Sequence, residues 1–314
     1  MQHSAAPGVY VSIEELSQLR MQASELTRRS RIRTQAAGGG THQSRFRGRG
    51  IDFDEVRVYQ PGDDVRNIDW RVTARTGTPH TKLFREERER PVYLVVDQSQ
   101  SMFFGSQVAF KSVTAAKAAA LMAWGALSNH DRIGGCIFSD TESHLMKPRE
   151  GKAGIQAFFR RLLEMNSSLS SQNLTTGRSR SGFLRSLEGL NQVTRPGSLV
   201  ILISDFRMFD DIALQLLSLL TRHNDVLALF VYDPMERQLP VRGNYGFSDG
   251  KNKLFVDTSD RTLRVQFQKR FHDHYHMIEN RLSGINVVME ELATNADLPQ
   301  RLATILSGRL RGKL

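Results

Sequence analysis

The chain has 314 residues, of which 39% are hydrophobic and 24% are charged, so its composition allows a globular protein with a sizeable core. The sequence has no apolar run of roughly 18 residues, which excludes a typical membrane-spanning helix, and its first residues carry no secretory signal. Cys136 is the only cysteine, which excludes an internal disulfide and leads us to expect a cytoplasmic protein.

The net charge of +10 is concentrated near the two ends of the chain. Residues 20–49 contain eight arginines and one acid, and residues 300–314 contain four basic residues and no acid. The remainder is close to neutral, so the folded body is not a basic protein. Basic ends suit an acidic partner, a membrane surface or RNA. Because such clusters are usually solvated tails, we do not expect nucleic-acid binding.

Residues 1–50 are predicted to form a helix followed by a basic linker. Ser12 and Glu15 have the spacing of a capping box, and apolar residues at helical spacing then continue to about Arg28. The stretch 34–49 is rich in Gly, Gln and Arg, which is typical of a linker.

Residues 51–90 form a short and highly charged segment of their own. A Pro-Gly pair within it signals a turn, and Asp63 or Asp64 can cap the helix that follows. The side chains expected to face inward are those of Val65, Ile68 and Val72.

From residue 91 onward, apolar strands alternate with helices. The predicted strands are 92–97, 132–139, 143–147, 198–205, 226–233 and 285–292, and the predicted helices are 107–127, 154–165, 182–190, 212–223, 262–282 and 298–310. This alternation is typical of a parallel sheet covered on both faces. Residues 91–314 are therefore predicted to form a doubly wound, mainly parallel α/β domain. A hairpin is inserted at about 234–257, with Asp249-Gly250 as its turn.

The strand at 92–97 ends in an aspartate, and two serines follow at alternate positions: Asp97, Ser99 and Ser101. One carboxylate and two hydroxyls at this spacing suit a hard cation such as Mg²⁺ (or Mn²⁺), which prefers oxygen ligands. The same residues also suit a helix cap, so this segment alone leaves both interpretations open.

A second strand, at 198–205, also ends in an aspartate, Asp205. The carboxyl ends of parallel strands meet at one edge of a sheet, where ligands usually bind. A hydroxyl-rich loop between the two strands contains Thr175 and Thr176, either of which supplies a further neutral oxygen. The expected metal ligands are thus Asp97, Ser99, Ser101, Asp205 and one of the two threonines.

This set of residues resembles the metal-ion-dependent adhesion site of von Willebrand factor A domains, whose fold is Rossmann-like. The resemblance lies in Asp97-x-Ser99-x-Ser101, a later threonine and Asp205. It implies a Mg²⁺ ion whose last coordination position accepts a glutamate or aspartate from a partner protein. The threonine loop departs from the usual Gly-Gly-Thr pattern, so the choice between Thr175 and Thr176 stays open.

A more specific resemblance is to the domain of unknown function 58 family, and it extends from about Arg45 to the C-terminus. The stretches that carry it are 47–57, Tyr59-Gln60-Pro61-Gly62-Asp63-Asp64 and Ile68-Asp69-Trp70. Members are bacterial proteins with a von Willebrand A-like domain, often encoded beside MoxR-type AAA+ ATPases. The resemblance implies that this chain acts with such an ATPase in assembling or activating protein complexes.

The sequence shows no paired nucleophile and base and no phosphate-binding Gly-x-x-x-x-Gly-Lys-Ser/Thr motif, so we expect a non-enzymatic interaction module. A Mg²⁺-dependent phosphotransferase or nuclease is the main alternative, because acids at strand ends also serve those reactions. Against it, Ser99 stands where a haloacid-dehalogenase-type phosphatase needs a second aspartate. For a nuclease, Asp140 is only a remote third carboxylate. A second alternative is an RNA or membrane-surface binder that uses the basic ends.

Three histidines at alternate positions, His272, His274 and His276, suggest a metal cluster at first sight. On a helix only His272 and His276, at i and i+4, share a face. We therefore expect all three to be exposed helix residues.

Overall fold

The computed structural model describes residues 8–23, 51–86, 90–170, 181–241, 243–248 and 253–309. The chain divides into two compact units. The first comprises Met1–Gly38 together with Arg90–Leu314, and the second comprises Gly39–Glu89. No helix within the described ranges is long and apolar enough to cross a membrane.

Helix α1 comprises the described residues 13–23 and begins with the predicted capping box. The Glu15 amide donates to Ser12 Oγ at 3.2 Å, and the Ser12 amide donates to Glu15 Oε2 at 3.1 Å. Leu16 is fully buried, and its carbonyl accepts a hydrogen bond from Trp124 Nε1 at 2.8 Å. The predicted helix end at Arg28 and the linker after it lie outside the described residues.

The second unit contains an antiparallel pair of strands, β1 (Ile51–Val58) and β2 (His80–Glu86), with helix α2 (Trp70–Thr76) between them in sequence. These two strands were not predicted from the sequence. A register shift between Phe53 and Glu55 interrupts the alternation of apolar and charged residues along β1. Because an extra residue moves the following side chains to the opposite faces, the strand does not show a simple period of two.

Two aspartates start helical turns in the second unit. Asp64 caps a short 3₁₀ turn, as predicted, and Asp69 caps α2. The prediction that Val65 faces inward is wrong, because its side chain is 60% exposed. The 3₁₀ turn gives way at Ile68 to extended backbone, so Val65 does not share a continuous helical face with Val72.

The first unit contains a six-stranded sheet. The remaining described strands are β3 (Pro91–Asp97), β4 (Arg132–Phe138), β5 (Ser143–Arg149), β6 (Leu199–Ser204), β7 (Asp225–Tyr232), β8 (Asn244–Ser248), β9 (Lys253–Asp257) and β10 (Val288–Ala293). The order in the sheet is β5-β4-β3-β6-β7-β10, and only the β4–β5 pair is antiparallel. The chain thus follows the strand order of a doubly wound fold, and the prediction of a mainly parallel sheet is confirmed.

Helices cover both faces of this sheet. The remaining described helices are α3 (Lys111–Ser128), α4 (Gly151–Ser168), α5 (Ser181–Val193), α6 (Asp211–Thr221), α7 (Pro234–Arg237), α8 (Arg261–Ser283) and α9 (Leu298–Arg309). Helices α1, α3, α4 and α9 pack on one face, and α5, α6 and α8 pack on the other. The strands are therefore apolar on both sides, as β3 shows: Leu94 and Val96 belong to one core cluster, and Tyr93 and Val95 belong to the other.

The insertion after β7 begins differently from its prediction. Pro234–Arg237 is a single helical turn, capped by Asp233 in a capping box with Glu236. Strands β8 and β9 then pair antiparallel and form the predicted hairpin. Its predicted turn, Asp249-Gly250, lies outside the described residues.

Close packing of β3 against β4 depends on Gly135, which has φ +151° and pairs with Leu94. A Cβ atom at this position would lie 2.0 Å from the Leu94 carbonyl oxygen. We expect Gly135→Ala to lower the free energy of unfolding by about 3 kcal/mol or more, measured by urea denaturation. Gly284→Ala is the control, because its Cβ would make contacts no shorter than 3.4 Å. Equal stability of the two variants would contradict this account of the strand packing.

Candidate metal centre at the strand ends

The topology places the ends of β3 and β6 at the centre of one edge of the sheet. These strands are neighbours, and the chain leaves them in opposite directions, toward β4 from β3 and toward β7 from β6. Ligands of doubly wound folds bind in the crevice at this switch point. Asp97 is the last residue of β3 and Asp205 directly follows β6, so the fold brings the two predicted aspartates to this crevice.

The loop after β3 gathers three of the predicted ligands. Asp97 is 2% exposed, and its Oδ1 accepts the Ser99 amide at 2.8 Å. Its Oδ2 accepts the Ser204 hydroxyl at 2.5 Å. The hydroxyl oxygens of Ser99 and Ser101 lie 3.1 Å apart. Neighbouring ligands of an octahedral Mg²⁺ ion at 2.0–2.1 Å are roughly 3 Å apart, so the spacing of this hydroxyl pair fits such an ion.

The pKa of Asp97 is raised to about 7, first by burial and second by the negative charge of Asp205. Hydrogen bonds from Ser204 and Ser99 lower the pKa but do not offset these two effects. Among the described residues no cationic side chain pairs with Asp97. Its ionised form therefore lacks a compensating positive charge, and a metal ion would supply one.

Asp205 has a different environment, because a buried ammonium lies against it. Lys111 is fully buried, and its Nζ donates to Asp205 Oδ2 and to Glu236 Oε1, both at 2.8 Å. Arg207 Nε lies 3.4 Å from the same Asp205 oxygen. Burial raises the pKa of Asp205, but the charges of Lys111 and Arg207 outweigh this effect and hold it below its usual value. Asp205 is thus ionised and already paired within the protein.

Lys111, Arg207 and Glu236, which surround Asp205, were not among the predicted site residues. Lys111 stands at the start of an alanine-rich helix, and Glu236 follows β7, more than one hundred residues later. A lysine within an apolar helix was the one available signal, because a lysine buried there requires an acidic partner. The sequence does not show which acid that partner is.

The two predicted threonines, Thr175 and Thr176, lie outside the described residues. The described residues on either side of this gap contact the loop after β3 and the loop after β4, respectively. Gln100 Nε2 donates to the carbonyl of Ser170 at 3.2 Å, and the Gly182 amide donates to the carbonyl of Asp140 at 3.3 Å. Asp140 in turn accepts the Gln100 amide at 2.8 Å through its carboxylate. Asp140 was expected to be remote, but it holds the backbone of the loop after β3.

The three histidines of α8 separate into two kinds. His272 and His276 form an edge-to-face pair at 4.1 Å, and His276 Nδ1 lies 2.8 Å from Glu279. His274 and His276 are both partly buried, so the prediction that all three histidines are exposed holds only for His272. The Nε2 of His274 lies 3.0 Å from the Asp205 carbonyl oxygen. In the described ranges no group of three or more His, Cys, Asp or Glu residues is arranged to hold a metal. The candidate centre relies on hydroxyls instead.

The Lys111 ion pairs predict a large effect on stability. Lys111→Met leaves Asp205 buried without its nearest cation, and we expect the free energy of unfolding to fall by about 3–5 kcal/mol. Lys111→Met combined with Asp205→Asn should recover most of this loss, because Glu236 keeps Arg207 at 2.8 Å. Urea denaturation of the two variants measures both values. If Lys111→Met alone were as stable as the wild type, the assigned role of Lys111 would be wrong.

The raised pKa of Asp97 predicts a pH dependence in the metal-free protein. Between the ordinary value of 3.8 and about 7, folded Asp97 keeps a proton that the unfolded chain has lost. Stability therefore falls as the pH rises through this window. Asp97→Asn mimics the protonated carboxyl, so in chelator its stability advantage over the wild type should grow from pH 5 to pH 8. Thermal unfolding at both pH values tests this, and a constant difference would contradict it.

Comparison with known proteins identifies relatives across most of the chain. Residues 55–277 match the family described as Protein of unknown function DUF58. Uncharacterised proteins of Mycobacterium tuberculosis and Mycobacterium bovis are 29% identical to this chain over 276 residues, which cover 88% of this chain and 84% of each relative.

Among solved structures, the BatB protein of Bacteroides thetaiotaomicron aligns over 71% of this chain and 99% of its own, with a TM-score of 0.41 and 13% identity. An aerotolerance-related membrane protein of Bacteroides fragilis aligns over the same shares with a TM-score of 0.40. The family match covers well over half of the sequence. The chain therefore belongs to the DUF58 family, whose function is unknown.

Proposed function

We propose that this protein is a non-enzymatic interaction module that docks a partner through a Mg²⁺ (or Mn²⁺) ion at the ends of β3 and β6. The observation that carries this proposal is the environment of Asp97. Its carboxylate is buried without a cationic partner among the described residues, beside two hydroxyl oxygens 3.1 Å apart. This arrangement suits the metal-ion-dependent adhesion site of a von Willebrand factor A-like domain, which the sequence resembles.

Each residue has a distinct task in this proposal. Asp97 supplies the negative charge, and Ser99 and Ser101 supply neutral oxygens, while Thr175 or Thr176 remains a predicted further ligand. Asp205 does not bind the ion directly in this proposal, because its Oδ2 already contacts Lys111 and Arg207. Its negative charge still favours a cation at Asp97. With one direct carboxylate the bound ion stays electron-poor, so it attracts a further carboxylate. A glutamate or aspartate of the partner is then the natural remaining ligand.

The arrangement of side chains favours docking over phosphotransfer or nuclease chemistry. Ser99 occupies the place of the second aspartate that a phosphatase of the dehalogenase type requires as general acid. Other carboxylates near the edge, among the described residues, are committed to protein groups: Glu236 to Lys111, Asp140 to the Gln100 amide, and Asp233 to the Ser106 amide and the Thr294 hydroxyl. They are therefore not available to bind a second metal ion, as nucleases commonly require.

The partner class follows from the family resemblance described above. We propose a MoxR-type AAA+ ATPase, or a client protein that offers a carboxylate, and a role in assembling or activating protein complexes in the cytoplasm. Nucleic acid is not part of this proposal.

Affinity capture from the source cell's lysate tests the docking role. The wild-type chain in Mg²⁺ should retain an AAA+ ATPase or a client protein, identified by mass spectrometry. Chelator or Asp97→Ala should reduce that retention at least about tenfold, because the metal bridge is lost. Asp273→Ala removes an exposed carboxylate of α8 and serves as the matched control. Identical captured proteins under all conditions would contradict metal-dependent docking.

A further inference from the structure

A second candidate binding site lies directly beside the strand-end centre. It is an open pocket of about 480 Å³ between α8 and the segments that follow β6 and β7. Its lining residues are Arg207, Glu236, Phe267, Arg270, Phe271 and His274. The pocket thus combines two phenylalanine side chains with two arginines and a histidine.

One face of α8 forms the wall of this pocket. Phe267, Arg270, Phe271 and His274 are spaced at i, i+3, i+4 and i+7, which is the spacing of a single helical face. Phe271 is held in place from behind, since its ring packs 5.4 Å from the ring of Tyr232. Phe271 is therefore supported by residues of the sheet.

The charges around the pocket favour an anionic ligand. Arg207 donates to Glu236 Oε1 at 2.8 Å, so these two charges largely offset each other. Arg270 is exposed and makes no hydrogen bond or ion pair with another described residue. The buried charges of Lys111 and Asp205 offset each other in the same way. The charge of Arg270 is then not offset, so the pocket has a net positive charge.

The pocket adjoins the metal edge through two contacts. Arg207 Nε lies 3.4 Å from Asp205 Oδ2, and His274 Nε2 lies 3.0 Å from the Asp205 carbonyl oxygen. A peptide with a carboxylate at the strand ends would therefore place its neighbouring residues at this pocket. The basic segment 20–49 of this chain, with eight arginines and one acid, has the wrong charge to be that peptide.

We propose that this pocket is a specificity subsite that receives an aromatic side chain flanked by acids from the partner protein. The phenylalanines contact the aromatic ring, and Arg270 contacts an adjacent carboxylate. Aromatic residues buried in such pockets contribute much of the energy of protein–protein binding. The inference rests on the docking role proposed above for the choice of partner, but the pocket itself does not require the metal.

Fluorescence polarisation with labelled peptides tests the subsite on the full chain. The probe is a short peptide of alternating glutamate and phenylalanine, measured in chelator so that the metal does not contribute. Matched peptides carry glutamine for glutamate or alanine for phenylalanine. We expect the probe to bind at least about fivefold more tightly than either matched peptide, because each loses one of the two contacts.

Two charge reversals on neighbouring α8 residues locate the binding. Arg270→Glu should weaken probe binding about tenfold, whereas Lys269→Glu, which changes an exposed residue that does not line the pocket, should change it less than about twofold. Absence of probe binding to the wild type at millimolar peptide, or equal effects of the two reversals, overturns the subsite. Probe binding that survives while metal-dependent capture fails would instead refute only the docking role.

Discussion

Two carboxylates are buried at the carboxyl edge of the sheet, close enough that the charge of Asp205 raises the pKa of Asp97. A buried carboxylate is costly unless a positive charge compensates it. Asp205 receives this compensation from Lys111 and Arg207. Asp97 receives only hydrogen bonds from neutral donors. Because of this asymmetry, and because two hydroxyls lie beside it, Asp97 is the position at which we propose that an external cation binds.

Further hydrogen bonds hold the loop that carries the hydroxyls. Gln98 donates to the Ser112 carbonyl at 3.1 Å and accepts from Asn166 Nδ2 at 2.9 Å. Asn166 Oδ1 then accepts the Val11 amide at 3.0 Å. Because these residues come from α3, α4 and the segment before α1, the loop is fixed from several directions. A fixed loop loses little conformational freedom when a ligand binds, which favours affinity.

The sequence predicts the sheet and the aspartates at its edge well, for physical reasons. Strands covered on both faces must be apolar, so β3 and β6 stand out, and the polar residues that end them are conspicuous. The pairing of Lys111 with Glu236 was not predicted, because it depends on contacts between distant parts of the chain. Strand β1 was not predicted, because its register shift disrupts the alternation of apolar and polar residues on which a strand prediction relies. Which of Thr175 and Thr176 belongs to the centre stays a prediction, as both lie outside the described residues.

A crystal of the full chain soaked in Mn²⁺ shows whether a cation binds at Asp97, because manganese can be located by its anomalous scattering. Mn²⁺ favours the same oxygen ligands as Mg²⁺. We predict one anomalous peak bonded to the Asp97 carboxylate and to the hydroxyls of Ser99 and Ser101, and no such peak in crystals of Asp97→Asn. A wild-type crystal in saturating Mn²⁺ with no peak at this position would rule out the proposed metal site.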